Sequence, residues 1–457
     1  MKHLLRIVLT TTLQMVAIST FAQGQRPAHL PKLQFGHEHH SASKRASHDA
    51  GHAARNVNST VVVPGRNVRH RWDDQTNTWN NGTVSVYTYD VKGNPTQIIE
   101  TDSATSVPLH KEILSYNGQN QVTEHVYQQW NGTAYVNDNR EQVTYDAQGY
   151  ETLYYYQVWE NNAWTIDTGY RTTTTYNPAG VLISQVYENY NVDSNTWEQD
   201  GRQTFTVNAS NQWTDIVNEA WRNGAYINEY RIRNITWYDW AKLQPSYLEE
   251  QEWNRPTSTW GEDSRSTFTF QPNGSYILIA EDLVAPNTWV NAFRSTNTFD
   301  NFGNETLYQD EEWVTNTWVT EYGYRYLFSY TATNQVRRAV EQDYSTTTNR
   351  YENYSVDTYG NFLTLSNRKA TGLEATASLA PNPTLSSTTI TVSGLREHGT
   401  VQAEVLNTVG QVVTTMALRS QQGTIKQEVN LGALPAGVYT IRLHTTEGTI
   451  AKRVVKQ

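Results

Sequence analysis

The 457-residue chain contains no cysteine. This absence excludes disulfide bonds, cysteine nucleophiles and cysteine-ligated metals, but it does not exclude a location outside the cytoplasm. Only 37% of the residues are hydrophobic, which is low for a packed globular protein. No segment after the N-terminus is long and apolar enough to span a bilayer. The net charge of −10 is modest for this length and argues against a nucleic-acid partner.

Aromatic residues are abundant instead, at 12% of the chain, with 29 tyrosines and 15 tryptophans. Tyrosine, tryptophan and threonine favour β-strands, and the two aromatic types are common where one side of a residue stays wet. We therefore expect an all-β protein with much sheet and thin hydrophobic cores.

The chain begins MKHLLRIVLTTTLQMVAISTFAQ, in which Lys2 and Arg6 precede an apolar stretch that ends in small residues. This order is typical of a signal peptide. We predict a signal peptide over residues 1–22, cut after Ala22, and a mature protein outside the cytoplasm. A membrane anchor is the weaker alternative, because the apolar run is short and interrupted by threonines.

The segment 23–65 carries a cluster of histidines, namely His37, His39, His40, His48 and His52. Imidazoles can bind zinc, copper or nickel, but no apolar pattern here would hold them in one geometry. We interpret the segment as a disordered tether, with a metal site as the less favoured reading. We predict no cofactor.

Residues 66–367 contain a repeat. Each copy has an anchor residue, then Asp or Asn in the clearest copies, then Gly or Asn three residues further on. Tyr89-Asp90 followed by Gly93 is an example. The anchors recur every 26 to 32 residues, at Tyr89, Tyr116, Tyr145, Tyr176, Val207, Tyr238, Phe270, Phe299, Tyr330 and Val356. Asx followed by a residue that accepts positive φ is typical of a tight turn.

A second turn lies between two aromatic residues in each copy, as in Trp313-Val-Thr-Asn-Thr-Trp318. Runs rich in Thr, Val, Tyr and Ile connect the two turns, so each copy is predicted to be two antiparallel strands. We expect a long antiparallel β-meander or solenoid-like array of about ten two-stranded repeats. A closed shell or a propeller is the alternative.

Two charged or polar columns run through the repeat. Five residues before the anchor stand Lys111, Arg140, Arg171, Arg202, Arg233, Arg265, Arg294 and Arg325. Twelve residues after it stand Gln128, Gln157, Glu188, Glu219, Glu250, Asp282, Glu311 and Gln342. Hairpin pairing would make these columns diagonal neighbours on one face, so we predict an Arg–Glu/Gln ladder.

The Tyr-Asp…Gly turns at Tyr89, Tyr145 and Phe299 resemble the tyrosine-aspartate (YD, or Rhs-type) repeats of bacterial surface and secreted proteins. The YD unit is shorter and lacks the aromatic pair, so the resemblance is not extended to a toxin-enclosing shell.

Rows of exposed aromatic rings bind sugar rings by stacking. The candidate ligand-binding residues are Trp130, Trp159, Trp164, Trp197, Trp221, Trp253, Trp260, Trp313 and Trp318. We predict a binding or adhesion module, with a polysaccharide or another surface protein as partner. A structural spacer or matrix protein is the alternative, in which the same rings only pack against neighbouring strands.

An enzyme is not expected. The chain has no Walker, dinucleotide, HExxH or GxSxG motif. The best carboxylate pair is Glu311-Glu312, but Gln fills the first of these positions in other copies and cannot act as acid or nucleophile. A polysaccharide-acting enzyme is a distant alternative.

A linker over residues 368–378 leads to a C-terminal module over residues 379–457. Alternating apolar residues and Gly-centred turns predict an Ig-like β-sandwich of about seven short strands. Its motif positions are Pro381, Asn382, Pro383, Gly410, Leu434, Gly437, Tyr439, Lys452 and Lys456.

In that order, these motifs resemble the type A C-terminal sorting domain of the type IX secretion system. The resemblance implies contact with the type IX machinery and passage across the outer membrane. It also implies removal of the module by a sortase-like peptidase that cuts in the linker. The passenger would then be secreted or attached to the outer surface of a Gram-negative cell.

Overall fold

The computed structural model describes residues 61–90, 92–365, 371–374, 376–396, 399–407, 412–445 and 448–457. The predicted signal peptide with Ala22, the histidine-rich segment and the motif residue Gly410 lie outside the described residues. The chain divides into two compact units. Residues 70–80 and 112–356 are named the repeat unit, and residues 61–69, 81–111 and 357–457 the terminal unit.

Strands make up most of the described chain before residue 366. They are β1 (Val61–Val63), β2 (Arg66–Asp73), β3 (Thr78–Trp79), β4 (Thr83–Tyr89), β5 (Pro95–Asp102), β6 (Pro108–Tyr116), β7 (Val122–Trp130), β8 (Tyr135–Tyr145), β9 (Glu151–Glu160), β10 (Ala163–Tyr176), β11 (Leu182–Asn191), β12 (Thr196–Val207), β13 (Trp213–Arg222), β14 (Ala225–Asp239), β15 (Gln244–Asn254), β16 (Thr259–Phe270), β17 (Tyr276–Ala285), β18 (Thr288–Phe299), β19 (Glu305–Val314), β20 (Thr317–Tyr330), β21 (Val336–Ser345), β22 (Arg350–Gly360) and β23 (Leu363–Leu365). One 3-10 turn, Trp240–Lys242, joins β14 to β15.

Each strand from β7 to β20 pairs antiparallel with the next, which confirms the predicted meander. The prediction of a solenoid-like array is wrong. In a solenoid the repeats stack on one another, whereas here they join edge to edge through backbone hydrogen bonds. Strands β2 to β22 belong to one closed sheet.

The anchor turns follow the predicted Asx chemistry. Asp146 Oδ1 accepts hydrogen bonds from the backbone N–H of Gln148 (3.0 Å) and Tyr150 (2.8 Å). Gly149 has a φ of 88°, a conformation that glycine adopts without strain. The hydroxyl of Tyr176, the next anchor, donates to Asp146 Oδ2. Each such contact ties one repeat to the one before it.

The repeat unit has a small core of aromatic and aliphatic residues near the anchor turns. Its buried members are Tyr150, Leu182, Phe205, Trp213, Ile216, Ile232, Ile235, Leu243, Leu248, Phe268, Tyr276 and Leu278. Many other buried positions are polar, including Gln203, Asn218, Ser295 and Asn297. This agrees with the thin core expected from the low hydrophobic fraction.

The C-terminal module is a sandwich of seven strands, as the alternating pattern predicts. Its strands are β24 (Ser378–Ala380), β25 (Ser387–Ser393), β26 (Gly399–Leu406), β27 (Val412–Ser420), β28 (Thr424–Asn430), β29 (Gly437–Thr445) and β30 (Gly448–Lys456), preceded by the helix α1 (Thr371–Glu374). The sheets have the orders β24-β25-β28 and β27-β26-β29-β30. No helix in the described part of the chain is long and apolar enough to cross a membrane.

Candidate functional site

The aromatic pairs of the repeat unit are named clasps. In the clasp of Trp313 and Trp318, the two residues lie directly opposite each other on β19 and β20. Their ring centroids are 4.8 Å apart and the ring planes meet at 64°, an edge-to-face contact. The other clasps have nearly the same geometry: Trp72–Trp79, Trp130–Tyr135, Trp159–Trp164, Tyr190–Trp197, Trp221–Tyr226, Trp253–Trp260 and Tyr344–Tyr351.

The turn inside a clasp explains why the rings meet. Between Trp313 and Trp318, Thr315 and Asn316 both have positive φ, at 47° and 63°. Two such residues in a two-residue loop form the hairpin turn whose twist matches that of the flanking strands. The residues just outside the turn are therefore held opposite each other on one face of the sheet.

An arginine of the preceding repeat covers the second ring of most clasps. Arg294 Cζ lies 4.8 Å from the centre of the Trp318 ring. The same contact joins Arg140 to Trp164, Arg171 to Trp197, Arg202 to Tyr226, Arg231 to Trp260, Arg265 to Trp289 and Arg325 to Tyr351. Cation–π contacts at partly exposed sites contribute about 0.5–1 kcal/mol each.

The same arginines form the predicted ladder. Arg294 donates from Nε and Nη2 to the buried carboxylate of Glu311, over 2.5 and 2.7 Å. Equivalent bonds join Arg140 to Gln157, Arg171 to Glu188, Arg202 to Glu219, Arg265 to Glu281 and Arg325 to Gln342. Each of these guanidinium groups thus meets an acceptor on the next strand and a ring on the strand after it.

The prediction that the two columns of the ladder are diagonal neighbours is wrong. Arg171 lies directly opposite Glu188, because the anchor Tyr176 pairs with the sixth residue after it, Leu182, and a β-bulge between Thr175 and Tyr176 shifts the register by one more residue. No bulge interrupts the pairing of β16 with β17, and Arg265 there pairs with Glu281 instead of Asp282. On β14 the ring-covering arginine is Arg231, which bonds Gln251, whereas Arg233 pairs with Glu249.

The candidate aromatics therefore fall into two groups, although all of them are half-buried. Arginines cover the second-position rings of Trp164, Trp197, Trp260 and Trp318. Among the described residues, no guanidinium lies over the first-position rings, and each makes an edge-to-face contact with its clasp partner; these rings are Trp130, Trp159, Trp221, Trp253 and Trp313. The arginine contact therefore distinguishes the second-position rings from the first-position rings.

An acidic column was missed by the sequence reasoning. Five hairpins carry a β-bulge three residues after the second ring, and the extra residue is Asp138, Asp167, Asp200, Glu229 or Glu321. In the β17–β18 hairpin the corresponding extra residue is Ala292. Bulges re-aim side chains and are positioned features of a sheet. The spacing of an acid three residues after the second aromatic was the signal available in the sequence.

The carboxylate pair singled out in the sequence is Glu311-Glu312. The Glu311 carboxylate accepts both hydrogen bonds of Arg294, so it is committed to the ladder. Glu305 and Asp310 lie on the same strand, and burial raises the pKa of Glu305 to about 7 and that of Asp310 to about 6. The described residues contain no cluster of three or more His, Asp or Glu side chains that could hold a metal ion.

The motif residues of the C-terminal module gather around its last strand. The Asn382 side chain imitates a strand partner: Nδ2 donates to Arg453 O (2.8 Å), and Oδ1 accepts from Val455 N (2.9 Å). Lys456 Nζ donates to Gly432 O (3.0 Å) and to Leu434 O. Leu434 packs against the core, and the Tyr439 hydroxyl donates to Pro435 O (2.8 Å).

A family model matches this part of the chain. Residues 378–457 match the model of the secretion system C-terminal sorting domain. The sorting domain confirms the resemblance drawn from the Pro381 to Lys456 motifs and implies export to the cell surface or to the medium. The resemblance of the repeats to tyrosine-aspartate repeats is not confirmed. No curated protein matches the chain significantly.

Several solved structures share weak structural likeness with the chain. A porin-like protein from Bacteroides uniformis is 10% identical, with 65% of this chain and 96% of that chain covered at a TM-score of 0.25. A protein with unknown function from Bacteroides fragilis is 11% identical, covering 34% and 91% at 0.19. A tetra-tandem repeat in the extending region of a large adhesion protein is 11% identical, covering 88% and 96% at 0.14. Likenesses this weak carry no argument about function.

Proposed function

We propose that the exported protein binds polysaccharide chains through the first-position rings of its clasps. The observation that carries the proposal is the division of most clasps into one arginine-covered ring and one ring without a guanidinium over it among the described residues. Strands lie about 4.8 Å apart, so a clasp on every second strand places these rings about 10 Å apart. That interval is comparable to two sugar units, which suits a repeating glycan.

Partly exposed aromatic rings offer sugars a flat apolar face, and neighbouring polar groups bond the hydroxyls. Polar side chains are present beside the clasps: Gln128 bonds Asn137 on the same face of the sheet as Trp130. The clasp face also carries the ladder carboxylates, which are bonded to arginines. A ligand on this face would therefore meet polar groups and aromatic rings in alternation.

A structural spacer is the second candidate function. The arginine over most second-position rings, bonded to Glu or Gln on the strand between, favours this role. Those contacts satisfy the ring, the cation and the acceptor within the sheet, which a purely structural role would also require. The two candidates differ in what the first-position rings do.

The test is binding of the mature full chain to an array of glycans and to insoluble polysaccharides. The variant carries Trp159→Ala, Trp221→Ala and Trp313→Ala together, and we expect it to lose at least about tenfold in affinity. The matched control replaces Tyr238 and Tyr322, each 56% exposed and outside the clasps, with alanine. Absence of wild-type binding, or equal binding by a folded triple variant, would leave the spacer as the function.

Export is tested separately in cells. A chain that ends before residue 378 is expected to accumulate inside the outer membrane, because it lacks the sorting domain. Cell fractionation and surface labelling measure this. Normal surface exposure of the truncated chain would contradict the sorting role.

A further inference from the structure

The two ends of the repeat region meet in the terminal unit. Strand β1 pairs antiparallel with β23, with Val61 opposite Leu365 and Val63 opposite Leu363. These two strands, Val61–Val63 and Leu363–Leu365, are named the ribbon. Its two halves lie at opposite ends of the whole repeat array, so the ribbon exists only when the first and last repeats have come together.

Further contacts hold the same two ends. Asp357 accepts hydrogen bonds from Asn67 Nδ2 (2.7 Å) and from Arg69 Nε and Nη2 (2.8 and 2.9 Å). Gly65 N donates to Asn361 O, and a Cβ at position 65 would lie only 2.4 Å from that oxygen. The two ends of the array therefore approach so closely at position 65 that a residue larger than glycine would not fit there.

The ribbon packs on the sorting domain. Strand β23 lies against β26 and β29, on the four-stranded sheet. The face of that sheet turned away from the sandwich core carries Gln402, Glu404 and His444, which alternate with the core residues Ala403 and Leu443. Such a second face is usually wet, yet Glu404 is 0% exposed and His444 is 1% exposed.

The covered face is charged as well as buried. Glu404 Oε2 accepts from Arg442 Nε (2.9 Å) and Nη2 (2.7 Å) and lies 3.2 Å from His444 Nε2. On the ribbon, Val61, Val63 and Leu365 are at most 3% exposed. An apolar strip thus covers a buried ionic cluster, and separating the two would expose both to water.

We propose that the ribbon is the docking partner of the sorting domain, so that the domain is held only by a repeat array whose two ends have joined. Docking of the sorting domain then takes place only after the repeat array has folded. A chain cut between the ribbon and the sorting domain keeps the domain bound through this face, and release requires the ribbon to leave it.

The experiment uses the mature full chain with a site for a sequence-specific protease inserted between residues 368 and 371. After cutting and dilution, the two fragments are expected to elute together from a sizing column. Separate elution of an intact sorting domain and an intact repeat array would overturn the proposal.

Two variants of the cleavable chain sharpen the result. Leu365→Asp places a charge in the ribbon and is expected to release the sorting domain after cutting. Leu385→Asp is the matched control, because Leu385 is 75% exposed on the sorting domain, and its fragments should stay together. Tryptophan fluorescence of the uncut Leu365→Asp chain checks that the array is folded. A folded Leu365→Asp array that still holds the domain after cutting would also overturn the proposal.

Discussion

The sorting domain and the repeat unit are both antiparallel β structures, yet they bury different side chains. The sorting domain packs aliphatic residues such as Ile390, Val405 and Ile441 at 0% exposure between two sheets. The repeat unit buries mostly aromatic and polar residues and covers its half-exposed face with the ladder and the clasps. One region is stabilised by a shared core, and the other by contacts that recur in each repeat.

The difference has a consequence for the effect of substitutions. A core residue of the sandwich touches both sheets, so its loss affects the whole domain. A ladder or clasp residue makes its ladder and ring contacts with neighbouring strands, so its loss weakens the contacts of one part of the array. All 15 tryptophans lie in the repeat unit, so tryptophan fluorescence reports the unfolding of that unit alone.

The largest effect is expected in the sorting domain. Ile441→Ala should cost about 2–5 kcal/mol, because it removes a fully buried side chain and leaves a cavity. Hydrogen exchange of peptides from residues 378–457 measures the loss. Leu385→Ala, at an exposed site, should change stability by no more than about 0.5 kcal/mol. A similar small cost for both would show that the sandwich core is not what holds the domain.

The second effect concerns pH in the repeat unit. Burial raises the pKa of Glu305 from its ordinary 4.5 to about 7. Between those values the folded state holds the extra proton, so this stabilising contribution is complete below the lower pKa and is lost as pH rises through 7. The loss amounts to at most about 3 kcal/mol. Glu305→Gln should remove it.

Urea unfolding followed by tryptophan fluorescence between pH 5 and 8 measures this. The variant should gain stability over the wild type as pH rises. Glu404→Gln is the control: burial favours the neutral form of Glu404, but His444 and Arg442 outweigh it and lower its pKa, and it lies in the sorting domain. Parallel plots of unfolding free energy against pH for the wild type and Glu305→Gln would contradict the raised pKa of Glu305.

The third effect separates charged from neutral rungs of the ladder. Arg294→Met leaves the buried carboxylate of Glu311 without its cation and should cost about 2 kcal/mol. Arg325→Met leaves the neutral Gln342 and should cost about 1 kcal/mol, although both variants lose a ring contact. The same fluorescence experiment compares them, and equal losses would show that the charge pairing adds nothing.

Much of this architecture follows from sequence columns. The anchor turns, the two-strand repeat, the arginine ladder and the clasps are all visible because a column recurs at fixed spacing. The register of the ladder is not visible in the sequence, because the bulge at Thr175–Tyr176 adds a residue without changing the spacing of the Arg171 and Glu188 columns. Pairing across such a bulge depends on backbone geometry.

Contacts between distant parts of the chain could not be predicted from the sequence either. Nothing in the composition of Asn67 and Asp357 indicates that they bond across nearly the whole repeat region. The buried Asn297 and the half-buried Glu305 occupy alternating polar positions, which a sequence pattern assigns to solvent. Their burial follows from the strand pairings around them, which only a tertiary structure supplies.

The central claim is that the two rings of one clasp have different roles, and two single variants test it most directly. Trp313→Ala and Trp318→Ala are each measured for unfolding free energy and for polysaccharide binding. We expect Trp318→Ala to cost about 1 kcal/mol more stability, because it also removes the Arg294 contact, while folded protein still binds. Trp313→Ala should lose more binding than stability. Matched losses of both properties in both variants would contradict the claim.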